Sequence, residues 1–472
     1  MFMPEFFMTL FPQVVNALEA TKVPVEMSAN LVEATIGFYS FAFDLTRTSC
    51  ELGCRLMKNV MPLAVPQFSA SRSQLFDICY ESANNLFSIT QENVLDTLER
   101  FHQRRRGELE FIKLFTEQPP TQDWSLEYND TNVLLDLPGL RLIDISLNIE
   151  HKLNNYGVVF APRAGHHSNI AERVALYMRD QGVTRMAIVE QKCADDIPLY
   201  INGKRHYEDF DGQIDQYKKI LEHLKDLTGY PPHLIAICQP GPLLITTLIL
   251  NPHLAKTFGS AGSPMHTDGE KGYLTDFARL VGEQYIDMLI RFFGHIVSEG
   301  HEGEGRESYD GRLQVLGFYF LGIDQHMKNM QSLLSDLRHG NGDSAKRQET
   351  FYQWYNTVQH SPAGFIRDTF KKIFIRNDLG RGKLMVGETR VSIKDYPGTI
   401  PIWALGGKKD EITPPLQAVG HMDLIKTVPP EDKLTLICNG GHMGLFRSSQ
   451  ILKEYYSRIV DFILAHSDNS KK

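Results

Sequence analysis

Residues His233-Leu234-Ile235-Ala236-Ile237-Cys238-Gln239-Pro240-Gly241-Pro242 decide how the rest of the chain is read. Positions 234–237 predict a short buried strand that stops at a cysteine. The apolar run 243–250 follows at once. Pro240 and Pro242 suit the first turn of a helix, whose N–H groups have no intrahelical partner to lose. A reactive side chain at a sharp strand-to-helix turn has the geometry of a nucleophile elbow, and the small Ala236 leaves room for one. The same residues also suit a buried strand ending in an inert core cysteine. The β-branched content of 243–250 leaves helix and strand unseparated by periodicity, so the flanking chain must decide.

At 472 residues the chain exceeds a single core, and one large domain with an accessory segment is expected. Hydrophobic content of 42% with 22% charged residues fits a soluble globular protein. The net charge of −8 argues against a nucleic-acid partner, which calls for a basic face. No stretch reaches the roughly 20 apolar residues of a transmembrane helix. The start, Met1 to Met8, is apolar but lacks a basic flank and is interrupted by Glu5, which makes a poor secretory signal. Cys50, Cys54, Cys79, Cys193, Cys238 and Cys438 are too few for a disulfide framework in so long a chain. Their spacing fits no zinc pattern, although Cys50 and Cys54 would share a helix face. Reduced thiols in a cytoplasmic protein are the expectation.

Residues 1–118 predict a helical N-terminal segment. Phe11, Val14, Val15 and Leu18 recur at helical spacing, as do Phe87, Val94, Leu95, Leu98 and Phe101. These side chains either face a core or form an adhesive surface for a hydrophobic body or partner. Arg104-Arg105-Arg106 reads as a solvated helix end, and Pro119-Pro120 as a linker. Beyond it, strands flank the turn Pro138-Gly139 in an antiparallel start. Buried strands at 157–161, 185–189 and 234–237 then alternate with helices at 170–179 and 214–227, the signature of a mostly parallel α/β sheet. The alternation breaks after Phe258 to Pro264. Residues 269–395 are largely helical, aromatic-rich and strand-poor, and predict a lid inserted over the strand ends. The sheet resumes at 400–405 and 433–437, and a helix at 449–465 closes it. The core is thus expected at 125–268 and 396–468.

Two later strand-end loops carry reactive residues: Gly406-Gly407-Lys408-Lys409-Asp410-Glu411 and Asn439-Gly440-Gly441-His442. Strand carboxyl ends converge on the ligand crevice of an open α/β sheet. The order nucleophile, acid, histidine is that of the α/β-hydrolase arrangement. His442 is then the general base for Cys238, and Asp410 orients and stabilises its imidazole. Glu411 and Asp268 are rival acids. A tetrahedral oxyanion needs two donors. The backbone N–H of Gln239 is one, and that of Arg163 or Ala164, on the loop after an earlier strand, is the other. His166 and His167 face substrate on this reading; without a third ligand at sensible spacing they make no metal site, and none is expected. A thiol nucleophile gives acyl transfer through a thioester, which water, another thiol or an alcohol can resolve.

The stretches Ala161-Pro162-Arg163-Ala164-Gly165-His166-His167, Ile237-Cys238-Gln239-Pro240, Gly407-Lys408-Lys409-Asp410-Glu411-Ile412 and Gly441-His442-Met443-Gly444-Leu445-Phe446 resemble motifs of intracellular polyhydroxyalkanoate (polyhydroxybutyrate) depolymerases. The resemblance covers residues 130–467 and implies an α/β-hydrolase-like, mostly parallel sheet with a Cys238–Asp410–His442 triad. It further implies hydrolysis or thiolysis of a 3-hydroxyacyl ester at the surface of intracellular storage granules. No cofactor is required, and coenzyme A enters as the acyl acceptor of thiolysis. The lid resembles the family in position and character alone, and the helical N-terminus is not covered. A polyhydroxyalkanoate synthase is the nearest alternative, but its nucleophile sits in a glycine-flanked box, whereas Ala236 and Pro240 flank Cys238 here. A non-catalytic granule-binding protein is the third reading, and an intact triad order speaks against it.

Overall fold

The computed structural model describes residues 19–48, 70–117, 131–150, 153–165, 169–321 and 323–468. Phe11, Val14, Val15, Leu18, Cys50, Cys54, Pro119, Pro120, His166 and His167 lie outside the described residues, as do the side chains of Cys79 and Phe87. The chain divides into two units, residues 1–120 with 324–353 and residues 121–323 with 354–472.

The first unit is helical. A helix over 19–48 and a longer one, Ala70–Thr116, carry most of its described residues. Val94, Leu95 and Leu98 are half-buried, whereas Phe101 is exposed. Leu31, Phe38 and Phe41 on the first helix are 69%, 68% and 66% exposed, so this helix turns a broad apolar face outward. Arg104 to Arg106 lie within the long helix rather than at its end, because the helix continues to Thr116. Arg105 bonds Glu108 at 2.7 Å, Arg338 meets the same carboxylate at 2.7 Å, and Arg106 meets Glu33 at 3.1 Å. Burial opposes the Glu108 charge, but Arg338 and Arg105 hold its carboxyl below the usual range.

The second unit is built on a sheet of eight strands. They are β1 (Val133–Asp136), β2 (Leu140–Asp144), β3 (Gly157–Phe160), β4 (Met186–Gln191), β7 (His233–Ile237), β8 (Thr257–Ala261), β14 (Ile402–Gly407) and β15 (Lys433–Cys438). A small hairpin, β5 (Tyr200–Ile201) and β6 (Lys204–Arg205), falls between β4 and β7. The order is β1-β2-β4-β3-β7-β8-β14-β15. Pairing is antiparallel from β1 to β4 and parallel from there on. The predicted turn at Pro138-Gly139 links the antiparallel pair. Every residue of β3, β4, β7, β8 and β14 is buried, as a parallel sheet covered on both faces requires. Val158, Phe160, Leu234, Ala236 and Phe258 share one core with Phe210, Tyr217, Leu221, Leu244 and Leu248 of the helices Phe210–Thr228 and Pro240–Leu250. The ambiguous run 243–250 is helical, since Pro240 sits at its first turn and a further strand there would leave β7 without a parallel crossover to β8.

Residues 269–395 are not helical throughout. Three short strands, β9 (Gly294–Ile296), β10 (Glu307–Tyr309) and β11 (Ser361–Pro362), form an antiparallel sheet, and β12 (Leu384–Val386) pairs with β13 (Thr389–Val391). Runs of two or three residues carry no readable alternation, which is why the sequence reads as strand-poor here. Among the described residues no helix is long and apolar enough to cross a membrane.

Candidate active site

Cys238 directly follows β7 and has φ 60°, the left-handed region that a side chain enters only under strain. Its N–H donates to Ala261 O at 2.9 Å, which ties the turn to the end of β8. The helix Pro240–Leu250 starts two residues on. Gly241 makes the turn passable: a Cβ there would fall 2.5 Å from Ser263 Cβ. Strand, strained residue and helix together form an elbow.

Asp410 follows β14 by three residues, and its Oδ1 accepts the N–H groups of Ile412 (3.0 Å) and Thr413 (2.8 Å). That local turn leaves Oδ2 for His442 Nδ1, at 2.8 Å. His442 opens the short helix His442–Arg447 after the glycine loop, and its ring is near enough to Cys238 to feel its charge. Burial opposes the imidazolium, but the charges of Asp410 and Cys238 and the hydrogen bond to Asp410 hold His442 well above its ordinary pKa. Both Asp410 and His442 are buried, which strengthens these interactions. The rival acid Asp268 is occupied elsewhere, bonded by Arg279 (2.7 Å) and Arg381 (2.7 Å). Burial opposes its charge, yet Arg381 and Asn377 hold its carboxyl down at about 2. Glu411 is half-buried beside Gly441, and the bond to His442 comes from Asp410.

The loop after β3 approaches the elbow from the other side. Arg163 N–H donates to Gln239 Oε1 at 2.9 Å, so the Gln239 side chain rests on the main-chain donor expected to meet an oxyanion. Ala164 is half-buried next to it. Sequence reasoning singled out Arg163 for its backbone and missed its side chain. The guanidinium is fully buried, donates to Gln191 Oε1 (3.2 Å), Lys192 O (2.8 Å) and Gly139 O (3.2 Å), and faces Glu208 at 3.8 Å. Burial pushes it below its ordinary value, while Glu208 pulls the other way. This network pins the loop from beneath. An arginine amid the apolar-to-small run Phe160 to Gly165 is the signal that could have announced it, since a cation there must be paired. Gly165, at φ 80°, closes the loop where a Cβ would stand 2.8 Å from Gly311 O.

Residues 262–467 match the family model described as the C-terminus of a PHB de-polymerase. The match takes in Asp410 and His442 and begins beyond Cys238. Among solved structures the chain is similar to a soluble variant of monoglyceride lipase from Saccharomyces cerevisiae in complex with a substrate analog. Identity is 10% and the TM-score 0.45, over 74% of this chain and 99% of that one. A monoacylglycerol lipase from Paleococcus ferrophilus aligns at 14% identity and TM-score 0.40, over 70% and 99% of the two chains. A thermophilic esterase from Thermogutta terrifontis aligns at 10% and 0.36, over 68% and 93%. No curated protein matches the chain. With that match laid on a mostly parallel sheet with an elbow at its centre, residues 262–467 are similar to the C-terminus of a PHB de-polymerase, and the sheet has the α/β-hydrolase arrangement.

Proposed function

We propose that this chain depolymerises an intracellular poly(3-hydroxyalkanoate) through a thioester on Cys238. The observation that carries this reading is the Asp410–His442 bond with the imidazole beside Cys238 at the strained elbow. His442 takes the Sγ proton as sulfur attacks the ester carbonyl carbon, and the carbonyl oxygen becomes an oxyanion. The N–H of Gln239 and that of Arg163 or Ala164 stabilise it, the Arg163 donor once the Gln239 side chain has turned away. The intermediate collapses with loss of the polymer alkoxide, which receives the proton from His442. Water or the thiol of coenzyme A then gives a proton to His442 and attacks the thioester. Thiolate leaves, regains the proton, and a 3-hydroxy acid or its CoA ester departs. His166 and His167, which follow Gly165 in the sequence, are assigned to substrate contact by sequence alone.

The granule surface is the proposed partner of the whole chain, in the cytoplasm. The exposed Leu31, Phe38 and Phe41 support it, as does a second apolar set in the other unit, Tyr273, Leu280 and Phe292, at 75%, 86% and 72% exposed. The test is incubation of the purified chain with amorphous poly(3-hydroxybutyrate) granules, with and without coenzyme A. Release of 3-hydroxy acids or their CoA esters is expected. Polymer growth from 3-hydroxyacyl-CoA, or binding without turnover, contradicts the reading.

A further inference from the structure

Three separate segments of the second unit bring Asp195, His295 and His360 together. Asp195 lies on the turn Ala194–Asp196 after β4, His295 is the middle residue of β9, and His360 immediately precedes β11. One ligand-type atom from each stands within 4.8 Å of the other two. Asp195 Oδ1 is 3.8 Å from His295 Nε2, and the imidazoles of His295 and His360 meet edge to face with centroids 4.8 Å apart. Asp195 Oδ1 is buried and accepts no hydrogen bond, an arrangement that a cation would satisfy. His360 is already oriented from behind. Its Nδ1 accepts the Gly311 N–H at 3.1 Å, with Asp310 Oδ1 3.5 Å from the same nitrogen. Ligation through Nε2 places the ring proton on Nδ1, so the Gly311 N–H gives up its bond there and the Asp310 carboxylate, 3.5 Å away, accepts the Nδ1 proton instead, the carboxylate–histidine–metal arrangement.

We propose that Asp195, His295 and His360 bind a zinc-class divalent transition metal, with water in the fourth position. Two imidazoles and one carboxylate suit tetrahedral zinc, whereas magnesium and calcium call for oxygen ligands. Bonds of roughly 2.0–2.1 Å set tetrahedral ligand atoms about 3.3 Å apart, so binding draws the loops in by about an ångström. The His295 side chain is 37% exposed and gives the ion a route in. No spacing in the sequence announces this site, because the ligands are far apart in the chain and only the fold assembles them.

The position gives the ion a structural role. Ala194 N–H donates to His360 O at 3.0 Å, and Gln359 N–H to Gly165 O at 2.9 Å. The ion thus staples the turn after β4 to the β9–β10–β11 sheet, one residue from the contact that holds the Arg163–Gly165 loop. Its binding depends neither on the identity of the polymer nor on that of the nucleophile.

The test uses the full chain, stripped with a chelator and titrated with Zn²⁺ and separately with Co²⁺. Expected are uptake of about one equivalent, a tetrahedral Co²⁺ absorption spectrum and a raised melting temperature. Magnesium should reproduce none of these. Asp195→Asn with His295→Gln should lose the equivalent. No uptake, or uptake undiminished in that variant, overturns the proposal. Hydrogen exchange on the unaltered chain reads the same point without a variant. Zinc should slow exchange at 194–196, 294–296 and 359–361, and slowing absent from these three segments contradicts the site.

Discussion

Cys238 holds φ 60°, a conformation that costs a residue with a Cβ roughly 1–2 kcal/mol. It is kept there by the strand before it and the helix after it, and the strain turns Sγ toward His442 rather than into the core. His442 in turn depends on Asp410. Replacing Asp410 with Asn removes the charge that most opposes the effect of burial, so the pKa of His442 should fall steeply. Imidazole ¹⁵N shifts against pH should record that fall, with turnover reduced on the order of 10³–10⁴-fold. The raised folded-state value also has a stability consequence. Its contribution is fully present below the unfolded histidine value of about 6.5 and is lost as pH rises through the folded value. Urea midpoints should therefore show the native chain losing its advantage over Asp410→Asn as pH rises above about 6.5. An unchanged difference would place the charge elsewhere.

At the scale of elements, the loop 163–165 rests on two features of different legibility. Gly165 is readable in the sequence as a place for close approach, and it holds φ 80° beside Gly311 O. Gly165→Ala should cost about 1–2 kcal/mol and lower turnover more than substrate binding. The buried Arg163–Glu208 pair is not readable, because Glu208 reaches it only through folding. Arg163→Met should destabilise the chain by about 3–5 kcal/mol by leaving Gln191 Oε1, Lys192 O and Gly139 O without their buried donor and weakening the hold on Glu208, which His206 and Gln216 still bond. The double variant with Glu208→Leu should cost less than the two single changes summed. Full additivity of the two would show that they do not act as a pair. The strand alternation from β3 to β7, the elbow and the resumption at β14 and β15 all carry apolar runs long enough to be legible. The strands β9 to β13 are not, since each is held by its neighbours and not by a pattern of its own.

For the whole molecule, the helical unit and the sheet unit divide the labour in the proposed function: one presents exposed apolar side chains, the other carries the chemistry. Leu31→Ser with Phe38→Ser and Phe41→Ser should weaken cosedimentation with amorphous granules while leaving turnover of soluble 3-hydroxybutyrate oligomers intact. Equal loss of both would make that helix part of the fold alone. The central claim, that these parts serve a covalent thiol mechanism, is most directly met by rapid-quench mass spectrometry on a soluble 3-hydroxybutyrate oligomer. The account expects a transient 3-hydroxyacyl adduct on the peptide containing Cys238, absent in Cys238→Ala, whose turnover falls by about 10⁶-fold. An adduct on another residue, or substantial turnover by Cys238→Ala, would contradict it.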